Sequence, residues 1–229
     1  VSVPKLRELY EQLPQARQSD DAEDWAVRMR GAYADFKEQV LRRYTEGTLQ
    51  RLLTSDDNLT RRAAVDALGL IGSMACVRDL AERLHDEDPI IVGMTEQALW
   101  TIWFRGDSPE EADRLDGILR LENPRRVLTG LDELVARSPN FAEAINQRAI
   151  VYFGMKDYAR SIDDCRRVLQ LNPHHFGAQA GMGQCYLKLR HWRDALHAFE
   201  LALRIHPGMD GVKENIRLLR EAIGEDPTD

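Results

Sequence analysis

The sequence predicts an all-α fold, a right-handed α-α superhelix (solenoid) of antiparallel helix pairs. Three observations carry this. The C-terminal half matches itself when shifted by 34 residues, the stretch from about 48 to 106 matches itself when shifted by 31, and apolar residues recur at helical spacing in both. Self-similarity at such periods marks units that cannot bury a core alone and stack on their neighbours.

At the longer shift, Pro139, Pro173 and Pro207 fall in register. So do Ala149 with Gly183, Tyr152 with Tyr186, Tyr158 with Trp192, Ser161 with Ala195, Cys165 with Phe199, Val168 with Ala202, and Leu169 with Leu203. The small pair at 149/183 lets the first helix of each unit approach the second, where the pair at 161/195 sits opposite. The tyrosines fill the space between. Each proline ends a second helix, because it lacks an N–H and disfavours helix at the preceding residue. The segments AEAINQRAIVYFGMKDYARSIDDCRRVLQLNP and GAQAGMGQCYLKLRHWRDALHAFELALRIHP resemble the tetratricopeptide repeat family.

Upstream, 107–140 matches in its second half only: Leu131, Leu134, Val135 and Pro139 align with Cys165, Val168, Leu169 and Pro173. Leu115 stands at the small position and Pro124 at the aromatic one, so this unit is a degenerate repeat, with Pro124 suited to the first turn of its second helix. Downstream, Val212, Ile216, Leu219 and Ile223 share one helical face, as a terminal cap requires, and the tail from Glu225 is expected to fray.

In the 31-residue region Leu49 matches Leu80, Leu53 matches Leu84, Ala67-Leu68 matches Ala98-Leu99, and Ile71 matches Ile102. An acidic turn precedes each second helix, at Asp56-Asp57-Asn58 and at Asp86-Glu87-Asp88-Pro89. The segment DDNLTRRAAVDALGLIG resembles a HEAT repeat of the short bacterial type, also found in phycobilin lyases. That resemblance implies an arginine, Arg61 or Arg62, paired with an Asp of the neighbouring repeat. Val92 and Gly93 at the equivalent positions imply that this ladder ends there. Trp100, Trp103 and Phe104 are expected to be core joining the HEAT pair to the first tetratricopeptide unit. The predicted organisation is a helical segment at 1–46, two HEAT-like repeats at 47–106, a tetratricopeptide array at 107–207 (107–140 degenerate, 141–174 and 175–207 good repeats), and a capping helix with tail at 208–229.

Within the first segment, Asp20 with Glu23 suggests a capping box. Trp25, Met29, Tyr33, Phe36, Val40 and Tyr44 then form one stripe that must be buried, on this chain or on another. A short helix carrying Leu6, Leu9, Tyr10 and Leu13 precedes it as a potential detachable arm.

Composition narrows the function. Hydrophobic residues are 43% and charged residues 30%, an ordinary core-forming mixture, and the net charge of −7 argues against a general nucleic-acid binder. No apolar run approaches a membrane span. The chain opens Val1-Ser2-Val3-Pro4 without a Met, which permits a removed leader. Cys76, Cys165 and Cys185 lie on apolar faces without a CxxC pair, so buried reduced thiols are expected. The compartment expected is a reducing one, bacterial cytoplasm or an organelle stroma or matrix after leader removal.

No catalytic residue, cofactor or metal site is predicted. His174, His175 and His206 sit in turns, and His191 and His197 are six apart, not the three or four that puts two ligands on one helical face. Asp163-Asp164 and Asp86-Glu87-Asp88 look like helix N-terminal carboxylates, whose role is capping. Leu49-Gln50-Arg51-Leu52-Leu53 matches an LxxLL box, but the HEAT core needs those leucines.

A groove remains. In tetratricopeptide arrays the first helix of each repeat lines a concave channel that holds a peptide or helix. The resemblance carries this onto Asn146, Gln147, Ile150 and Phe153, and onto Gln184, Leu187 and Lys188. Asn146 stands where the lysine of the chaperone-tail clamp would be, and Ile150 where its asparagine would be, so that clamp is expected to be absent. A helix or mildly hydrophobic segment suits this groove better than a carboxylate tail. The expected function is a non-enzymatic protein-interaction scaffold, adaptor or assembly factor. The rival reading is a structural subunit of a large complex, with Trp25, Met29, Tyr33 and Phe36 as a second interface.

Overall fold

The computed structural model describes residues 5–14 and 21–224. Among them are thirteen α-helices and no strand. The chain divides into two compact units, Val1–Ile102 and Trp103–Asp229.

The first unit holds α1 (Lys5–Glu11), α2 (Ala22–Arg43), α3 (Glu46–Leu52), α4 (Asn58–Ile71), α5 (Val77–Ala81) and most of α6 (Pro89–Phe104), with 3₁₀ turns at Met74–Cys76 and Glu82–His85. Leu49, Leu53, Val65, Leu68, Leu80, Leu84, Ile91 and Leu99 form its core, which includes two leucines of the LxxLL string. Asp57 caps α4 by accepting from the Thr60 N–H at 2.9 Å. Two adjacent arginines tie α4 to the next acidic turn. The Arg61 fork donates to both oxygens of Asp86 at 3.0 Å, and Arg62 Nε donates to Asp88 at 2.9 Å. Both arginines thus play the role expected of one. Gly93, at the corresponding place on α6, is exposed.

The N-terminal helices differ from expectation in three details. The α2 cap is Asp21, which accepts from the N–H groups of Glu23 and Asp24, while Asp20 lies outside the described residues. The helix stops at Arg43, and Tyr44 turns extended as the C-cap, so the stripe loses its last member. Helix α1 is docked. Leu6 and Leu9 are buried, Arg7 pairs with Asp57 at 3.1 Å, and the Tyr10 O–H donates to Met94 Sδ at 3.8 Å. Leu13 falls past the end of α1.

The second unit is a row of antiparallel helices: α7 (Pro109–Leu119), α8 (Pro124–Arg137), α9 (Ala142–Gly154), α10 (Tyr158–Leu171), α11 (Phe176–Lys188), α12 (Trp192–Ile205) and α13 (Asp210–Ile223). Each packs against its successor in the chain. Pro124 opens α8 behind the Asn123 cap. Helices α8, α10 and α12 all stop two residues before a proline. Their caps Ser138, Asn172 and His206 leave helical geometry and donate back to Leu134, Val168 and Ala202. At the α11–α12 crossing, a Cβ on Gly183 would lie 2.7 Å from the Phe199 ring, so the small position is sterically obligatory. At the α9–α10 crossing, the Ser161 hydroxyl donates to the Ala149 carbonyl at 2.8 Å. Val212, Ile216 and Leu219 bury α13 against α12. The tail from Glu225 lies outside the described residues.

Candidate interaction surface on the second unit

Helices α9 and α11 supply the expected groove residues. Ile150 is 54% exposed, Lys188 is exposed, and Gln147, Phe153, Gln184 and Leu187 are half-buried. Asn146 differs: only 3% of it is exposed, and its amide donates to Glu143 Oε1 at 3.1 Å. The groove expectation therefore narrows to the outer ends of α9 and α11, with Asn146 beneath.

What draws Asn146 inward is a buried polar knot invisible to motif reading. Glu143, fully enclosed on α9, accepts from Asn146 and, at 2.6 Å, from Gln147 Nε2. His175 caps α11, its Nδ1 accepting from the Ala178 N–H at 3.0 Å. That bond places the ring proton on Nε2, which lies 3.0 Å from Glu143 Oε2 and donates to it. A carboxylate taken out of water is tolerable only when its lone pairs are filled this way. Trp103 covers the knot, stacked on His175 with ring centroids 4.1 Å apart and tilted against Phe176 at 5.1 Å. The expected junction at the first tetratricopeptide pair is thus corrected for Trp103, which reaches the start of α11. Phe104 packs on the core that runs from α7 to α11. The clue in the sequence was an acid at position 143 inside an otherwise apolar helix start.

A second network corrects the reading of Asp163-Asp164 as helix caps. Asp157 caps α10. Asp164 lies about two turns inside and receives the Arg148 fork at 2.8 and 2.7 Å, while Arg148 also reaches Asp132 on α8 at 2.9 Å. Arg148 therefore bridges three successive helices. Asp163 pairs with Arg166 on the exposed face.

The described residues contain no group of three or more His, Cys, Asp or Glu placed to hold a metal ion. His206 packs edge-on against Phe176 at 5.0 Å. All three cysteines are buried, and desolvation pushes the Cys76 and Cys165 thiols up to about 12. They are protonated, unreactive side chains at neutral pH. No described helix is long and apolar enough to cross a membrane.

On the first unit, α2 is buried only through Phe36 and Val40. Phe36 packs edge-on against Tyr10 and Tyr33, each with centroids 6.5 Å away, and so is core, contrary to its expected place at an interface. Trp25, Met29 and Tyr33 stay half-buried, and Val27 and Leu41 are exposed on the same helix.

A family model described as HEAT repeats covers residues 45–136, which takes in α7 and α8, and the model for anaphase-promoting complex, cyclosome, subunit 3 covers 129–202. A TPR repeat-containing protein of Rhizobium etli is 35% identical over 98 residues, covering 43% of this chain and 48% of the relative. The chain thus spans about half the length of the relative it matches. Among solved structures, the first TPR of Spaghetti (RPAP3) bound to the HSP90 peptide SRMEEVD aligns with TM-score 0.48 and 18% identity, over 52% of this chain and 96% of that one. The TPR2AB-domain:pHSP90 complex of yeast Sti1 aligns with TM-score 0.43 and 14% identity, over 96% and 93%. The chain is an all-helical repeat protein, similar to HEAT repeats over residues 45–136 and, over 98 residues, to a protein containing tetratricopeptide repeats.

Proposed function

We propose that the chain is a non-enzymatic protein-interaction scaffold, an adaptor or assembly factor that binds a partner helix or extended segment at the outer ends of α9 and α11. The observation that carries this is Ile150, a large apolar side chain left 54% exposed beside the half-buried Phe153 and Leu187. Gln147, Gln184 and Lys188 would supply hydrogen bonds around this apolar patch. Asn146, tied to Glu143, would hold the floor. The chaperone-tail clamp is absent from this reading, because Asn146 and Ile150 occupy its places. Pull-down from the native source with the chain and with Ile150→Asp/Phe153→Asp tests it. The expected result is a partner lost on double substitution. An unchanged set of captured proteins would sink the reading.

A second reading rests on α2. Trp25, Met29 and Tyr33 remain half-buried and Val27 is 56% exposed, so this helix would be a further interface of a subunit embedded in a larger complex. Sedimentation of the purified chain as a stable monomer, with Trp25→Ser/Met29→Ser improving neither solubility nor dispersity, would remove it.

A further inference from the structure

The turns between the first and second helices of the second unit carry a pattern that the groove does not use. Because successive helices are antiparallel, the C-terminal ends of α9, α11 and α13 lie along one edge of the row. At that edge Lys156 has φ 62°, Arg190 φ 61° and Gly224 φ 80°, three left-handed positions at 34-residue steps. Glycine is the residue that adopts this geometry without strain, and the last step uses it. The other two hold long cations instead, against the steric preference of an L-residue. The residues just before them are apolar and in the same register: Met155 (44% exposed), Leu189 (40%) and the half-buried Ile223. Trp192, also 40% exposed, flanks an open depression of about 400 Å³ shared with Ile223 and Arg193.

The charge at this edge opposes that of the chain. Arg126, Lys156, Arg190 and Arg193 are exposed, and none has an ion-pair partner among the described residues. Of the acids nearby, Asp194 lines the depression itself, and Glu225 and Asp226 follow Gly224 directly in the sequence. Asp157 is committed to capping α10 and to Arg160, Asp194 lies 3.6 Å from His191, and Glu122 is exposed. On a protein of net charge −7, unpaired cations held at strained backbone positions beside exposed apolar side chains need a reason.

We propose that this edge, which adjoins the groove at Phe153 and Lys188, is a second docking surface for an acidic segment of a partner protein that carries large apolar side chains. Its carboxylates would meet Lys156 and Arg190 one repeat apart, and an apolar side chain would enter the depression between Trp192 and Ile223. The linear register suits a chain segment, and the depression suits a side chain better than a flat bilayer.

The test is selection from a phage-displayed random peptide library on the full chain, followed by affinity measurement of the winners. Winners rich in Asp and Glu with interspersed Leu, Phe or Trp are expected. Lys156→Gly/Arg190→Gly should weaken them about tenfold while leaving the melting temperature unchanged or a few degrees higher, because strain is released. Ile150→Asp should leave them unaffected, which separates this surface from the groove. Should the glycine variant unfold, Arg126→Gln/Arg193→Gln, on helical backbone, carries the same comparison. Winners without acidic bias, or acidic winners indifferent to both pairs of substitutions, overturn the proposal. Acidic peptides failing while phosphatidylserine vesicles, but not phosphatidylcholine vesicles, capture the chain would overturn it in favour of a membrane surface.

Discussion

The two units hold neighbouring helices together by different physics. In the first, the tie is charge: Arg61 and Arg62 reach across to Asp86 and Asp88, and Arg7 reaches Asp57. In the second, the recurring tie is shape: Gly183 against Phe199, Ser161 against the Ala149 carbonyl, and a proline that stops every second helix. Polar ties appear there too, the Arg148 ion pairs and the Glu143–His175 hydrogen bond, but each occurs once and is not repeated at the 34-residue step. A tie by shape can be repeated, because any small residue facing a large one serves. A buried ion pair needs both partners and every hydrogen bond, so it marks one place in the chain.

The comparison is most easily broken at Arg61. Its guanidinium and the Asp86 carboxylate are both nearly inaccessible, with 7% and 2% of their side chains exposed. Arg61→Ala leaves the buried Asp86 carboxylate with Arg83 at 3.2 Å and the Asp88 N–H at 3.1 Å, and should cost about 3 kcal/mol, read as a lowered urea midpoint of the first unit. A loss below ~1 kcal/mol would show that this pair behaves as a surface one.

Next in size is the equivalent test of shape. Gly183→Ala places a methyl 2.7 Å from the Phe199 ring and should destabilise the second unit by about 1–3 kcal/mol, with no dependence on salt. Phe199→Leu in the same chain should recover part of that loss, and a purely additive double variant would contradict the steric account.

The third concerns pH. Asp66 on α4 is desolvated, and although the Tyr33 hydroxyl donates to it, its carboxyl is raised to about 6. Its Oδ2 has no hydrogen-bond partner among the described residues. The folded value lies above the ordinary 3.8, so the protonated form is the one folding favours. That contribution is fully present below the ordinary value and is lost as pH rises through about 6. The packing of α2 on α4 should therefore tighten on acidification by on the order of 2 kcal/mol. Asp66→Asn should flatten the dependence, measurable as amide-exchange protection of α2 against pH.

Smallest is the cap. Asp57→Ala removes the N-cap of α4 and the partner of Arg7, at about 1 kcal/mol. The sharper readout is loss of exchange protection at Leu6 and Leu9, since that pair helps hold α1.

Much of this was legible because periodicity and punctuation are local. The register of Pro139, Pro173 and Pro207 marks helix ends, since proline acts on its own neighbours. The pairing 149/161 and 183/195 marks crossings, because size at a crossing is a property of the residue. The acidic turn and following arginines of the HEAT segment announced the ladder, although two arginines serve where one was expected.

Other features depend on which side chains meet across long stretches of chain. Trp103 and His175 are far apart in sequence, and nothing local tells a tryptophan at a helix end that it will cover a histidine cap. Asn146 and Phe36 lie on the faces their helical spacing allots them, yet Glu143 draws one inward and Tyr10 and Tyr33 enclose the other. Asp164 looked like a cap until the α10 boundary placed it about two turns past the N-cap, within reach of Arg148. The sequence by itself determined the repeat periods, the helix ends and the small positions where helices cross, since these follow from backbone preference and residue size. Only the tertiary structure decided which polar groups are buried together, which groove residues stay open and which turn cations line one edge, because burial and charge proximity belong to the packed helices collectively.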